Sequence, residues 1–232
     1  MFRKLNALLW LRLQVIISNS TLLATLLLPF GITILQNEFL NKNGELSMFL
    51  LSTSLTMVLS MGSGYMVSIM IAEDKEKRNL KSLILSGVIA MEYTLSMMAL
   101  PLLVMLLSMV FLPLYLKVDL TNYLLAYSLY LILATISMIF LNIFIGAVSD
   151  TQSKAQVYSI FPMLIFSFLP VLAIQNATAQ KLLDYSFIGP LVSLLKAGGG
   201  ELSLRSLGLL LAWILLLGLA SLFVLKNSYK AR

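Results

Sequence analysis

The sequence predicts an all-α integral membrane protein with six transmembrane helices, an N-terminal amphipathic interfacial helix and a half-inserted outer segment before the last helix. The first observation is composition: the 232 residues are 59% hydrophobic and 11% charged, and their mean hydropathy is +0.95, outside the range of a soluble domain. The second is spacing, because the charges leave uncharged stretches as long as the roughly 17 to 25 residues that cross a bilayer. Six such spans are predicted within one membrane domain over residues 1–232: Ser20 to Gln36, Ser47 to Ala72, Tyr93 to Leu116, Leu120 to Ser149, Ala155 to Gln180, and Ser206 to Leu225.

Residues 1–19 precede the first span and are predicted to form the interfacial helix. At 100° per residue one face is apolar, with Phe2, Leu5, Leu9, Leu13 and Ile16. The opposite face carries Arg3, Lys4 and Gln14, and Arg12 lies at the edge between the two faces. A basic amphipathic helix of this kind lies in the headgroup plane. It serves either as an anchor for the first span or in a mechanical role.

The second span contains a row of small residues, in which Ser60, Gly64 and Ser68 recur every fourth residue on one helix face. Small residues at this spacing let two helices approach closely, either within the chain or between subunits. Methionines are frequent in the second and third spans, where flexible thioethers fill gaps or line a path for apolar cargo. The candidate dimer face or cargo path therefore consists of Ser60, Met61, Gly64, Met98 and Met105.

The third span begins beside Glu92, which we expect to cap the helix or to reach the headgroups. The fourth and fifth spans are joined by the short segment "SDTQSKA". Residues 175–205 are too apolar for a free loop, but Gly189, Pro190 and the glycines at 198–200 break them into pieces too short to cross. We expect one or two short helices that dip into the outer leaflet.

The distribution of Lys and Arg predicts the orientation. Six crossings place both termini on one side, where eleven of the sixteen basic residues lie, whereas five lie in the loops on the other side. The positive-inside rule therefore predicts that both termini and residues 73–87 are cytoplasmic. The expected location of this multi-pass protein is a bacterial plasma membrane. The net charge of +6 then reflects topology, and nucleic acid is not an expected partner.

Several kinds of chemistry are excluded by composition. Without cysteine or histidine the chain has no thiolate chemistry, imidazole-bound haem or usual zinc site, and no metal site is expected. The spans hold essentially no ionisable residue, so proton-coupled transport and intramembrane proteolysis lack their usual groups. No glycine-rich phosphate-binding motif is present. No catalytic residue and no bound cofactor are therefore predicted.

The stretch "IAEDKEKRNLKSLILSG" (71–87) contains the densest charges, six in succession from Glu73 to Arg78. If it is one helix, Glu73 pairs with Lys77 and Asp74 with Arg78 at i, i+4, and Gly87 ends the helix. Leu80, Leu83 and Ile84 then form an apolar face suited to a partner's groove. A solvated connector is the alternative, but topology alone does not require the acids Glu73, Asp74 and Glu76.

The architecture and this segment together resemble the membrane subunits of ABC-2 type ABC transporters. The resemblance is carried by Glu73, Glu76, Lys77, Arg78, Leu80, Leu83 and Gly87, followed by "MEYTLS" at the third span. It implies that residues 73–87 are a coupling helix that docks on a separate cytoplasmic ATP-binding subunit, which binds ATP and Mg²⁺. It also implies a second, identical or similar permease and export of amphipathic or lipophilic cargo. Gly87 stands where proline is frequent in the family, and no large outer domain is present.

The expected function is thus the permease of an ATP-driven exporter in contact with membrane lipid. Small loops and methionine-rich spans favour antimicrobial peptides such as bacteriocins as cargo. A small multimeric channel without an ATPase, and a haem-export-like permease, are the alternatives.

Overall fold

The chain folds into a helical membrane bundle, described by a computed structural model over residues 2–230. It is 84% helical, and no β-strand occurs among the described residues. The side chains of Phe2, Arg3, Leu5, Leu80 and Ile84 lie outside the described residues. The helices are α1 (Phe2–Ser18), α2 (Ser20–Leu40), α3 (Ser47–Met57), a π-helical segment (Val58–Tyr65), α4 (Met66–Glu76), α5 (Asn79–Leu85), α6 (Ala90–Tyr115), a 3₁₀ turn (Thr121–Tyr123), α7 (Leu124–Val148), α8 (Gln152–Leu172), α9 (Ala177–Tyr185), α10 (Gly189–Lys196) and α11 (Leu204–Lys230).

The six predicted spans are confirmed. Helices long and apolar enough to cross a membrane are Ser20–Leu40, Ser47–Glu76, Met91–Tyr115, Thr121–Val148, Gln152–Leu172 and Leu204–Val224. The fifth span ends earlier than predicted, at Leu172 rather than Gln180. The reason is a new helix start: the Asn176 side chain accepts hydrogen bonds from the N–H groups of Thr178 and Ala179 and caps α9.

The second span is the centre of the bundle. It consists of α3, the π-helical segment and α4, and 94% of its most apolar window is buried. It packs against α2, α6, α7 and α8. A helix surrounded on all sides needs small residues to admit its neighbours, which explains the serines and glycines of this span.

Two short helices, α9 and α10, occupy the predicted outer segment. Leu191 and Leu195 of α10 are buried, and α10 packs against α3 and α7. The broken apolar sequence therefore encodes helices, as expected. Their depth in a bilayer stays a prediction.

Helix α1 is joined to α2 at Asn19, whose side chain caps α2 by accepting from the N–H groups of Thr21 and Leu22. Helix α1 packs against α6, and the buried residues among its described side chains are Leu8, Arg12 and Ile16. The predicted apolar face is therefore rotated: Leu13 is exposed, whereas Arg12 faces the protein. We call the end of the bundle where α1 meets residues 73–87 the 73–87 end.

Candidate functional site

Four consecutive charged residues end the second span, and each contacts a different part of the protein. We call Glu73, Asp74, Lys75 and Glu76 the charged cluster. They belong to the last turn of α4, and all but Glu76 are buried. Burying a charge costs free energy unless the charge is paired or hydrogen-bonded.

Asp74 pairs with Arg12 of α1. Arg12 Nη1 lies 2.7 Å from Asp74 Oδ2, and the two side chains are 0% and 3% exposed. The hydroxyl of Tyr93, from α6, donates to the same oxygen at 3.0 Å. The Arg12 guanidinium carbon is also 5.3 Å from the centroid of the Tyr93 ring, within range of a cation–π contact. One carboxylate therefore joins three helices.

The Arg12 guanidinium is only partly satisfied. Its contact with Asp74 is an ion pair by distance, but Nη1 makes no hydrogen bond. Nε and Nη2 have no hydrogen-bond partner among the described residues. A buried ion pair with unmet donors contributes little net stability, because desolvation of both ions offsets their attraction.

Lys75 holds the end of α7. Its Nζ donates to the carbonyl oxygens of Ala147 and Ser149, each at 2.6 Å. These carbonyls lie at the C-terminus of α7, where the helix dipole is negative and a cation is favoured. Lys75 thus fixes the fourth span to the second.

Glu76 holds the start of α8. Its Oε2 accepts the backbone N–H of Gln152, the first residue of α8, at 2.7 Å. The N-terminus of a helix has free N–H groups and a positive dipole, so a carboxylate is favoured there. Through Glu76 the second span also positions the fifth.

Glu73 makes the predicted local pair. Lys77 Nζ lies 2.6 Å from Glu73 Oε1, and the Lys77 side chain is 62% exposed. The hydrogen bond that Lys77 donates to Glu73, together with the negative charge of Glu73, raises the pKa of Lys77 above its ordinary value. The i, i+4 pairing predicted for these two residues is confirmed.

The pairing predicted between Asp74 and Arg78 is wrong. Helix α4 ends at Glu76, and Arg78 adopts a left-handed conformation with φ of +57°. The chain turns there before α5 begins at Asn79, so residues 73–87 are two helices and not one. Asp74 is left on the inner face, where Arg12 reaches it, and Arg78 is exposed.

Helix α5 ends at Leu85, and Gly87 forms the turn that terminates it, as predicted. This glycine has φ of +80°, and the N–H of Val88 bonds to the carbonyl of Leu83 at 3.0 Å. The geometry is that of a glycine-terminated helix in which the residues flanking the turn also pack together. Leu83 faces α1, whereas Leu85 is 79% exposed.

A groove of about 450 Å³ separates α1 from α5. Trp10 and Leu11 line it from α1, and Leu83 and Val88 line it from the α5 side. Lys4 closes one end by donating to the carbonyl of Gly87 at 2.9 Å. The predicted coupling residues Leu80 and Ile84 have no described side chain.

The small-residue row of the second span packs within the chain. Ser60 shares a 2.6 Å hydrogen bond with Ser167 of α8, and Ser68 shares one of 2.6 Å with Ser159. Gly64 faces Asn142 and Met138 of α7. These contacts account for the row without a second subunit. Its role at a dimer face stays a prediction.

The three methionines of the predicted cargo path differ in exposure. Met61 and Met98 are partly buried, whereas Met105 is buried. Met105 borders a small apolar cavity of about 190 Å³ between α6 and α7, together with Met109 and Leu131. A cargo path along these residues also stays a prediction.

Glu92 has the capping role that the sequence predicts. Its Oε2 accepts the N–H of Ile89 at 3.2 Å, at the start of α6. Sequence reasoning missed Arg12, Tyr93 and Gln152 as partners of the charged cluster. Arg12 did leave a signal, because it was the charge that interrupted the apolar face of α1.

Among residues 2–230, no three Asp, Glu, His or Cys side chains come together as metal ligands. The family model described as "ABC-2 family transporter protein" matches residues 5–223. Comparisons with curated proteins and with solved structures gave no match.

Proposed function

This chain belongs to the ABC-2 transporter family and is a membrane permease, and we propose that it exports amphipathic or lipophilic cargo with ATP hydrolysed by a separate subunit. The observation that carries the proposal is the family match over nearly the whole chain, residues 5–223. ABC-2 permeases work with an ATP-binding partner, which would supply the ATP and Mg²⁺. No group in the charged cluster is required for catalysis by the chain itself.

The ATP-binding subunit docks at the 73–87 end, which faces the cytoplasm. Eleven basic residues on this side against five on the other support that orientation. Lys77, Arg78 and Leu85 are exposed there, next to the groove between α1 and α5. They offer positive charge and an apolar contact to the partner, as a docking surface requires.

The charged cluster serves a different step from docking. Asp74 and Lys75 are buried against other helices, and Glu76 is bonded to α8, so these side chains position spans instead of contacting a partner. Movement of α5 by the ATP-binding subunit passes to the end of α4 and from there to α7 and α8. The cluster thus transmits the displacement that docking produces.

A second permease, identical or similar, and lipid cover the outside of the bundle. The first and sixth spans are only 17% and 22% buried within the chain, which leaves wide apolar surfaces. Cargo crosses between the two permeases. The small loops of this chain favour peptides of the bacteriocin type as that cargo. The location is a bacterial plasma membrane.

The proposal is tested by purifying the tagged chain from its native membrane in mild detergent. We expect a soluble protein with a Walker A motif to copurify, and the complex to hydrolyse ATP. Arg78→Glu and Leu85→Asp should each weaken its binding at least tenfold. The matched control is Lys117→Glu, because Lys117 is also exposed and left-handed but lies outside the 73–87 end. Failure to copurify any ATP-binding protein with the unaltered chain would overturn the proposal, as would full binding by both variants.

A further inference from the structure

We propose that Arg12 and Asp74 are positioning residues that lock α1 to the end of the second span, so that α1 and the charged cluster move as one body during transport. The first step, the locking of α1, rests on the structure alone. The second step, its use in transport, rests on the function proposed above.

The Arg12–Asp74 ion pair contributes little to the free energy of unfolding. Both side chains are buried, and none of the three Arg12 side-chain nitrogens makes a hydrogen bond among the described residues. Apolar residues of similar size would hold two helices together as well or better. A charged pair differs in specifying one relative position, because the guanidinium must meet the carboxylate at a fixed point.

Asp74 lies close to the residues that bond the second span to other helices. Asp74 lies next to Lys75, which holds the end of α7, and two residues before Glu76, which holds the start of α8. Tyr93 adds α6 through its bond to the same carboxylate oxygen. A shift of α1 that carries Arg12 with it therefore moves the residues to which three spans are bonded.

Among the described side chains, the other attachments of α1 do not fix its position in the same way. Leu8 and Ile16 are buried in apolar contacts, which tolerate sliding. The bond from Lys4 to the carbonyl of Gly87 is exposed to solvent. Arg12 is thus the group that sets where α1 sits along the second and third spans.

The locking step is tested by hydrogen exchange on the chain in lipid nanodiscs. Asp74→Asn keeps the shape of the side chain but removes its charge. It should raise amide exchange in residues 2–18 at least tenfold while leaving α9 and α10 unchanged. Lys77→Gln, which breaks the Glu73–Lys77 pair of the same segment, is the matched control and should leave α1 at its original rate. Exchange in α1 within twofold of the unaltered chain would overturn the proposal. If Asp74→Asn does not fold, Arg12→Lys provides the same comparison, because it keeps the charge but loses the planar guanidinium.

The transport step is tested on the complex with the copurified ATP-binding protein. The double variant Arg12→Met with Asp74→Leu should still bind that protein, since the docking residues are untouched. Its stimulation of ATP hydrolysis by the permease should fall at least fivefold. If the double variant stimulates ATP hydrolysis as much as the unaltered chain does, transport does not depend on the Arg12–Asp74 pair, and the proposal is overturned. If the unaltered chain copurifies with no ATP-binding protein, the proposed function has failed, and the exchange measurement still decides whether the pair locks α1.

Discussion

The hydroxyls of Ser60 and Ser167 lie 2.6 Å apart in the buried interior, where the π-helical segment of the second span meets the fifth span. Ser68 and Ser159 repeat this contact eight residues along each helix, in opposite directions. The two pairs therefore fix the register of two antiparallel spans. Within a bilayer such polar contacts between helices replace the hydrophobic drive that acts in water.

A double-mutant cycle on Ser60→Ala and Ser167→Ala should show a coupling energy of about 0.6 kcal/mol, the mean for interhelical hydrogen bonds in membranes. The measurement is reversible unfolding of the purified protein in mixed micelles. Ser63 offers the control, because its hydroxyl bonds to the carbonyl of Leu59 in its own helix. A cycle of Ser63→Ala with Ser167→Ala should show no coupling, and equal coupling in both cycles would contradict the prediction.

Gly64→Ala should destabilise the protein by about 1–3 kcal/mol, as overpacking does in a filled interior. An added Cβ would lie 2.8 Å from Asn142 Nδ2 and 2.8 Å from Met138 Cε. Gly62→Ala is the matched control two residues away, since its nearest contact would be an ordinary 3.5 Å from Val58. Thermal unfolding of both variants checks the difference. Equal melting temperatures would show that α7 yields readily at Gly64.

Removing one partner of the Arg12–Asp74 pair should cost far more than removing both. Asp74→Asn should lower the free energy of unfolding by about 3–5 kcal/mol, because Arg12 would remain buried without its counterion. Arg12→Met with Asp74→Leu should lie within about 1 kcal/mol of the unaltered chain or above it. Denaturant unfolding in micelles measures all three proteins. A double variant as unstable as Asp74→Asn would mean that the charges themselves stabilise the fold.

Lys117→Gly should raise the free energy of unfolding by about 1 kcal/mol. Lys117 follows α6 with φ of +55°, a conformation that costs residues with a Cβ about 1–2 kcal/mol and glycine almost nothing. The greater freedom of glycine in the unfolded chain removes part of this gain. Lys117→Val should be destabilising, since a β-branched side chain resists this conformation still more. The melting temperatures should therefore rank Gly above Lys above Val, and any other order would contradict the assignment of strain.

The sequence was most informative where structure follows from local pattern. Six spans, the two short helices of residues 175–205 and the cap at Glu92 depend on apolar length, on breaking residues and on neighbours within one turn. The contact of Glu73 with Lys77 and the turn at Gly87 belong to the same class. The cap, the ion pair and the turn could be predicted because the residues that form them lie within about one helical turn of each other in the sequence.

The partners of the charged cluster were decided by the tertiary structure. The i, i+4 rule paired Asp74 with Arg78, but the helix ends between them, and Arg12 arrives from sixty-two positions earlier in the chain. Lys75 and Glu76 likewise bond to backbone groups at the ends of α7 and α8. Every residue has such groups, so the sequence does not indicate which of them a side chain will contact. The composition therefore determined that this is a membrane bundle with six spans, because hydrophobic length is a property of the chain itself. Which helix each charge holds was set only by packing, because a buried ion binds whichever opposite charge or helix end the fold brings within 3 Å of it.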